Sequence, residues 1–259
     1  MGRPRLVHFI TALIFAFTCA IASGGELPPQ LGKQLAPTGR LRVGVYEGSP
    51  TSYVAGVTPR GVAYEMGQKL AKRAGIAFDP VVFPSNDKLY EAFRAGNIDL
   101  VFTNATAARK AFIDFTPTVL GIQKGYLVRP GSNAQDHAAL DRAGVRIGVS
   151  RASTTQTELA SIVKHATLVP MASLEEGEAA LTHGRIEAYA SNKAILFEMS
   201  DKVPGSRVLD GRWGSETFAF GIPKGRPAAL EYVSKFATEE RDAGGVRSAA
   251  ERAGIRGTE

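Results

Sequence analysis

The strongest constraint on how this chain can fold is that its two halves repeat one another. Residues 41–51 read LRVGVYEGSPT, and residues 145–155 read VRIGVSRASTT. Both open on a short strand-like run, x-R-x-G-V, and pass into small hydroxylated residues. Further along, residues 93–104 read FRAGNIDLVFTN and residues 181–192 read LTHGRIEAYASN. Each has a Gly that can end a helix, then an apolar–acid–apolar strand, then a small residue and an Asn. That Asn is Asn104 in one half and Asn192 in the other, and the order of elements is the same in both.

Between the repeated strands the spacing is helical. Val62, Met66, Leu70 and Ala74 recur every fourth residue, with Gly75 placed to end the helix. Ser85 or Asn86 can start a second helix whose apolar face is Leu89, Ala92 and Phe93, with Gly96 after it. In the second half, Ser173-Leu174-Glu175-Glu176 reads as a capping box ahead of Ala179, Ala180 and Leu181. Short β-rich runs, Val81-Val82-Phe83 and Leu168-Val169, lie between the helices. Each half therefore reads βαβαβ, an α/β pattern that implies a mostly parallel sheet flanked by helices. Ligands of such sheets bind beyond the C-terminal ends of the strands. The four repeated segments are exits of that kind, so two facing halves would line one cleft with them.

Composition removes several classes. With 44% hydrophobic and 22% charged residues, the chain has the makings of a core and is not a disordered one. Its formal charge is +6, but Lys and Arg are interspersed with acids and no aromatic–basic stripe accompanies them. Nucleic acid is not an expected partner. The N-terminus carries Arg3 and Arg5 without an acid, then FITALIFAFTCAIA over residues 9–22. That apolar run is shorter than the roughly 20 residues of a membrane-spanning helix. Ala20-Ile21-Ala22 offers the small residues of a cleavage site. Residues 1–22 therefore read as a secretory signal peptide, with an uncleaved anchor as the competing reading. The remainder is expected to be periplasmic, with no membrane span after cleavage.

Cys19 is the one cysteine and lies inside that segment. Ala16-Phe17-Thr18 before it lacks the small residue expected just ahead of a lipidated cysteine. The rest of the chain then has neither a disulfide nor a thiol nucleophile. His8, His137, His165 and His183 show no ligand spacing, so no metal is expected, and no cofactor motif is present.

At the repeated segments the chain resembles the extracellular solute-binding proteins of family 3, the polar amino-acid-type receptors of bacterial ABC importers. The likeness covers about residues 38–256. Its most telling stretch is Gly96-Asn97-Ile98-Asp99-Leu100, then Thr106-Ala107-Ala108-Arg109-Lys110, then Asp114-Phe115-Thr116-Pro117. These are similar to the family's G-x-x-D, T-x-x-R and D-F-S/T-x-P in order. Arg146-Ile147-Gly148-Val149 with Ser153-Thr154, and Gly184-Arg185-Ile186-Glu187-Ala188, add two more. The resemblance implies a two-lobed periplasmic-binding-protein type II fold with two crossing hinge strands. The first crossing would be Gly125–Val128 and the return Thr217–Gly221. Lobe one would then be 38–125 plus 221–259, lobe two 126–220, and hinge closure the expected motion.

The resemblance also names ligand-binding residues. The Arg of T-x-x-R clamps a ligand carboxylate in the family, which falls on Arg109 with Thr106 as hydroxyl partner. A guanidinium fork suits that task, although the spacing alone reads equally as a solvated helix start. Ser153 and Thr154 match the family's G-T-T turn with Ala152 where Gly is usual. They stand at a helix N-terminus suited to an anion, or serve as a plain N-cap. Ser49 and Thr51 occupy the corresponding exit of lobe one, where Tyr46 or Tyr53 would supply the family's aromatic. Asn104 and Asn192 end the repeated strands. At Asn192 the family commonly places an Asp that pairs with a ligand ammonium. A neutral Asn loses that charge, so the expectation shifts from a zwitterionic amino acid to a carboxylate or other anion, with Lys193 adding positive field or standing in solvent. Trp213 reads as a ligand stack or as an apolar anchor, and Glu65 and Glu187 as structural.

The function implied is a receptor that closes over a small polar solute and delivers it to an ABC transporter permease, working as a monomer and not as an enzyme. Cyclohexadienyl dehydratases resemble the same family, so a lyase on this scaffold is the rival reading. No nucleophile elbow, H-E-x-x-H or P-loop is visible. A receptor feeding a sensor is the third.

Overall fold

A computed structural model describes residues 27–259; the signal-peptide reading of residues 1–22, Cys19 included, lies outside them. The first half runs α1 (Pro29–Leu35), β1 (Arg40–Tyr46), α2 (Val62–Ala74), β2 (Ala77–Phe83), α3 (Asn86–Arg94), β3 (Leu100–Asn104), α4 (Ala107–Lys110) and β4 (Ile113–Phe115). A long strand β5 (Leu120–Val128) leads to the second half. There follow β6 (Arg146–Ser150), α5 (Thr154–Ile162), β7 (Thr167–Met171), α6 (Leu174–Thr182), β8 (Ala188–Asn192), α7 (Lys193–Lys202) and β9 (Arg207–Val208). Strand β10 (Gly214–Pro223) returns, and α8 (Pro227–Asp242) and α9 (Gly245–Arg252) close the chain.

The strands join in the order β2-β1-β3-β10-β5-β8-β6-β7, with β4 added to β10 and β9 to β5. Pairings β1–β2, β1–β3, β6–β7 and β6–β8 are all parallel, as the βαβ repeat requires. The antiparallel pair β5–β10 stands between two such three-stranded arms, which gives the expected two-lobed fold with two crossing strands. The two strands face each other over Leu120–Lys124 and Gly214–Phe218. Beyond Lys124, β5 is already paired to β8, and beyond Phe218, β10 is paired to β3. The first crossing thus lies just ahead of Gly125–Val128, and the return overlaps Thr217–Gly221 at Thr217 and Phe218. A strand that changes partners keeps its alternation, so the pattern of side chains does not mark where the change occurs.

The repeated motifs are one packing solution used twice. A Cβ on Gly44 of β1 would lie 2.7 Å from Ile98, and one on Gly148 of β6 would lie 2.7 Å from Ile186. The Gly of x-R-x-G-V is therefore the space into which the Ile of the second motif inserts. Backbone bonds repeat as well: Asp99 N–H donates to the Arg42 carbonyl, and Glu187 N–H to that of Arg146, each at 2.8 Å. The guanidinium of Arg42 also reaches the Gly96 carbonyl at 2.8 Å, and that of Arg146 the Gly184 carbonyl at 3.5 Å.

Helix ends follow the sequence signals. Gly75 closes α2 with φ +66°, its N–H donating to the carbonyls of Ala71 and Lys72. Ser173 Oγ accepts from Glu176 N–H at 3.1 Å, while the Glu176 carboxylate reaches back to Ala172 N–H at 2.6 Å, one residue before the usual capping-box partner. Leu41, Val43, Val62, Met66 and Leu70 pack with Phe220, Val233 and Phe236, so α8 and α9 complete the core of the first half. A second cluster joins Tyr46, Tyr90, Ile98 and Val101 to Leu174, Tyr189 and Met199, and so links the two halves.

Candidate functional site

The strand exits of both halves meet in one cavity, with an empty volume of about 590 Å³ counted out to its mouth. Its walls are rich in hydroxyl groups, with Ser49, Thr51, Ser150, Ser153, Thr154 and Ser191 among them. Tyr46, at the end of β1, meets Ser150, at the end of β6, with 3.3 Å between hydroxyl oxygens. Ser150 also pairs with the Tyr189 hydroxyl at 2.8 Å. Burial pushes the Tyr46 phenol up to about 12, so it stays neutral and hydrogen-bonds as a hydroxyl.

Arg109 enters this cavity from α4 and is only 9% exposed. One guanidinium nitrogen donates to Thr103 Oγ1 at 2.9 Å and to the Asn104 carbonyl at 3.1 Å. The guanidinium lies over the Tyr90 ring at 4.7 Å, and the Tyr90 hydroxyl in turn meets Thr103 at 2.7 Å. These contacts aim the fork without neutralising it. Among the described residues no carboxylate lies within ion-pair distance of Arg109.

An acid stands in the same cavity, on β10. Glu216 is 6% exposed; its Oε1 accepts from Thr154 Oγ1 at 2.5 Å and its Oε2 from Asn192 Nδ2 at 3.0 Å. Asn192 also caps α7, its Oδ1 accepting from Ile195 N–H at 3.1 Å. Thr154 opens α5, whose N-cap Ser153 accepts from Gln156 N–H at 3.1 Å. Ala152, just before it, has φ +56° and is the one non-glycine residue with positive φ among the described residues.

Six of the eight residues singled out in the sequence line this cavity: Arg109, Asn104, Ser49, Ser153, Thr154 and Asn192. Thr106 and Tyr53 stand outside it. Thr106 is the N-cap of α4, its Oγ1 accepting from Arg109 N–H at 3.3 Å, so its hydroxyl is used in starting the helix that carries Arg109. It faces an outer cleft shared with Arg94, Ala107, Phe112 and Ala152. Tyr53 packs against Tyr64 with ring centroids 5.5 Å apart and joins the core of the first half. The aromatic that reaches the cavity from this region is Tyr46.

Trp213 is an anchor: its Nε1 donates to the Gly125 carbonyl at 3.0 Å, and Lys124 Nζ lies 4.7 Å from its ring. Lys193 packs beside Gly257 and Gly125 instead of entering the cavity. Glu65 pairs with Arg252, and Glu187 with Arg129 and Ser132, as structural acids. The sequence reading did not select Glu216 or Tyr90. Glu216 was legible in one respect, as the sole acid in the apolar alternation Phe218, Phe220, Ile222 of the return strand. Among the described residues no group of three or more His, Cys, Asp or Glu could hold a metal, and no helix is long and apolar enough to cross a membrane.

Relatives agree with this architecture. The ABC transporter glutamine-binding protein GlnH of Bacillus subtilis (strain 168) is 22% identical over 141 residues, 54% of this chain and 51% of that protein. The chain spans about half the length of the curated relatives it matches. An amino acid ABC transporter substrate-binding protein of Streptococcus pneumoniae bound to L-arginine superposes with a TM-score of 0.77 at 19% identity, over 88% of this chain and 99% of that one. The ancestral amino acid-binding protein AncCDT-1, a precursor of cyclohexadienyl dehydratase, gives 0.76 at 20% identity, over 85% and 97%. At these identities the structures establish a common fold, that of type II periplasmic amino-acid-binding proteins. Residues 41–252, which hold both repeats and both crossing strands, match the bacterial extracellular solute-binding proteins, family 3, and the chain belongs to that family.

Proposed function

We propose that the chain is an exported receptor that closes over a small carboxylate-bearing solute and delivers it to an ABC importer. The observation that carries this is Arg109, a buried cation in the cavity between the halves with no acid beside it. A buried charge is costly unless paired, so the cavity is built for an anionic group to arrive from outside. The aimed guanidinium and the N-terminus of α5 with the Ser153 hydroxyl are two donors suited to a carboxylate, the Thr154 hydroxyl being already given to Glu216. We read lobe one as about 38–125 plus 221–259 and lobe two as about 126–220, joined through the paired stretch of β5 and β10 that lies a few residues ahead of those bounds. The matching relatives named as ABC transporter components support a permease as partner, the signal-like residues 1–22 support a periplasmic location, and we read the receptor as a monomer.

The test is thermal shift of refolded protein, stripped of bound solute, against amino acids, carboxylates, sugars and phosphorylated compounds. A ligand at about 100 times its Kd adds roughly 2.7 kcal/mol. Arg109→Ala should weaken the responding compound by roughly tenfold or more, while the melting temperature without ligand stays similar. Unchanged affinity would remove Arg109 from the site. Glu216 gives the cleft one titratable acid, which keeps a lyase as second reading. Recovery of the compound unchanged excludes it, and consumption establishes it.

A further inference from the structure

We propose that Glu216, an acid supplied by the hinge strand, is the residue that sets the charge selectivity of this site, and that it requires a protonated amine on the solute. This rests on the reading of Arg109 as carboxylate clamp.

The argument starts from what holds Glu216. Its two partners, Thr154 and Asn192, are neutral donors, so they fix the direction of the carboxylate without cancelling its charge. Among the described residues no Lys, Arg or His lies within ion-pair distance of it. Lys124, the buried cation on the adjacent strand, is ion-paired to Glu158 and sits over Trp213. A carboxylate has about four acceptor positions, and two here are filled. The cavity therefore encloses one cation, Arg109, and one anion, Glu216, each oriented and each without a protein counter-charge. A solute with both charges satisfies both residues at once. A plain carboxylate satisfies Arg109 and leaves Glu216 buried and unmatched, an arrangement that is expensive in a closed cleft.

Asn192 takes a different meaning in this arrangement. The neutral side chain at the end of β8 does not mark a missing acid. It is the donor that holds an acid placed on another strand, and the selectivity first inferred from its neutrality is reversed.

The experiment is titration calorimetry of refolded wild type, Glu216→Gln, Glu216→Asp and Arg109→Ala with pairs of probes: L-amino acids, each beside the 2-hydroxy acid of the same side chain. Circular dichroism melts of each protein without ligand check folding. Wild type should bind an amino acid and discriminate against its hydroxy acid by roughly 100-fold. Glu216→Gln should erase most of that ratio, while Glu216→Asp, which keeps the charge, should retain most of it. Arg109→Ala should weaken both members of the pair and leave their ratio alone. A wild type that binds the hydroxy acid equally well, or binds neither member of any pair, overturns the proposal. So does a folded Glu216→Gln that keeps the full ratio. An Arg109→Ala protein that binds both members at full strength overturns the clamp reading alone.

Discussion

Asn104 and Asn192 end equivalent strands in the two halves, yet they are used in opposite ways. In the first half the Asn104 carbonyl takes a bond from Arg109, and Asn104 lines the cavity with no side-chain hydrogen bond among the described residues. In the second half the Asn192 side chain is spent on the protein, its oxygen on the N-terminus of α7 and its nitrogen on Glu216. The duplicated frame is thus conserved in its geometry and free in its chemistry. One half contributes a cation on a short helix, the other a pair of neutral donors, and the strand that belongs to neither alone contributes the acid. Function in such a fold sits in the differences between the repeats, because the shared residues are occupied in packing.

The shared frame can be broken first, with the largest expected effect. Gly148→Val forces branched atoms into space held by Ile186 and by the Tyr189 ring at 2.8 Å, and Gly44→Val does so against Ile98 and Val101. Overpacking of this kind costs about 1–3 kcal/mol, and more where backbone must move. Both variants should lose stability in chemical denaturation, Gly148→Val more than Gly44→Val because a ring yields less readily than a methyl group. Pairing Gly44→Ala with Ile98→Val should recover part of the loss of Gly44→Ala alone. Strictly additive losses would show that the two residues do not share one space.

The asymmetry of the two asparagines is the next test. Asn192→Ala removes a helix cap and one of the two donors to a buried carboxylate. It should cost about 1–3 kcal/mol in urea melts without ligand. Asn104→Ala removes a side chain with no hydrogen bond among the described residues, and should change that stability by less than about 0.5 kcal/mol while weakening solute binding. Equal losses of stability in the two variants would mean that the halves are alike at this position after all.

How far the sequence carries depends on whether a feature is local. The strand–Gly pattern, the Gly75 and Ser173 caps, and the hydroxylated exits 49–52 and 150–155 are written in neighbouring residues, and the elements form where the spacing places them. Arg109 was legible because a short motif carries it. Glu216 was not selected because its role is non-local: it becomes an acid of the cavity only when β10 crosses beside β5 and meets α5 and β8. Tyr46 and Tyr53 could not be separated by the sequence, since both precede or follow the same turn. The choice is made by packing, with Tyr53 taken up by Tyr64 and Tyr46 left facing Ser150.

The halves also differ in how the first helix hands over to the second strand, and pH separates them. Between α2 and β2 the turn is made by Gly75 in the left-handed region, which does not titrate. Between α5 and β7 it is made by Asp141, whose carboxylate accepts from the N–H groups of Lys164, His165 and Ala166 at 2.7–3.1 Å. Those bonds favour the charged form and lower its pKa from 3.8 to about 2. With the folded-state value depressed, the contribution is present above pH 3.8 and is lost as pH falls through 2. Amide exchange of residues 164–166 should therefore accelerate over that window, while residues 75–77 stay protected. In Asp141→Asn the acceleration over that window should disappear. An unaltered pH profile in that variant would assign the transition to another group.

The smallest expected effect concerns the turn that gives α5 its N-terminus. Ala152 holds φ +56°, a conformation that costs a residue with a Cβ about 1–2 kcal/mol. The corresponding exit of the first half uses Gly48, at φ +81°, where no such cost arises. Replacing Ala152 with Gly relieves the strain but enlarges the freedom of the unfolded chain by about 0.4–1 kcal/mol, so the net gain should be below about 1 kcal/mol. Ala152 N–H keeps its bond to Gln156 Oε1 at 2.9 Å, which fixes the turn without the side chain. Ala152→Gly should therefore raise the melting temperature by a few degrees at most, with solute affinity unchanged. A fall in melting temperature would show that the methyl group makes packing contacts worth more than the strain. A loss of affinity with stability gained would show that the strained turn is what aims Ser153 and Thr154 into the cleft, as strain at a binding site can.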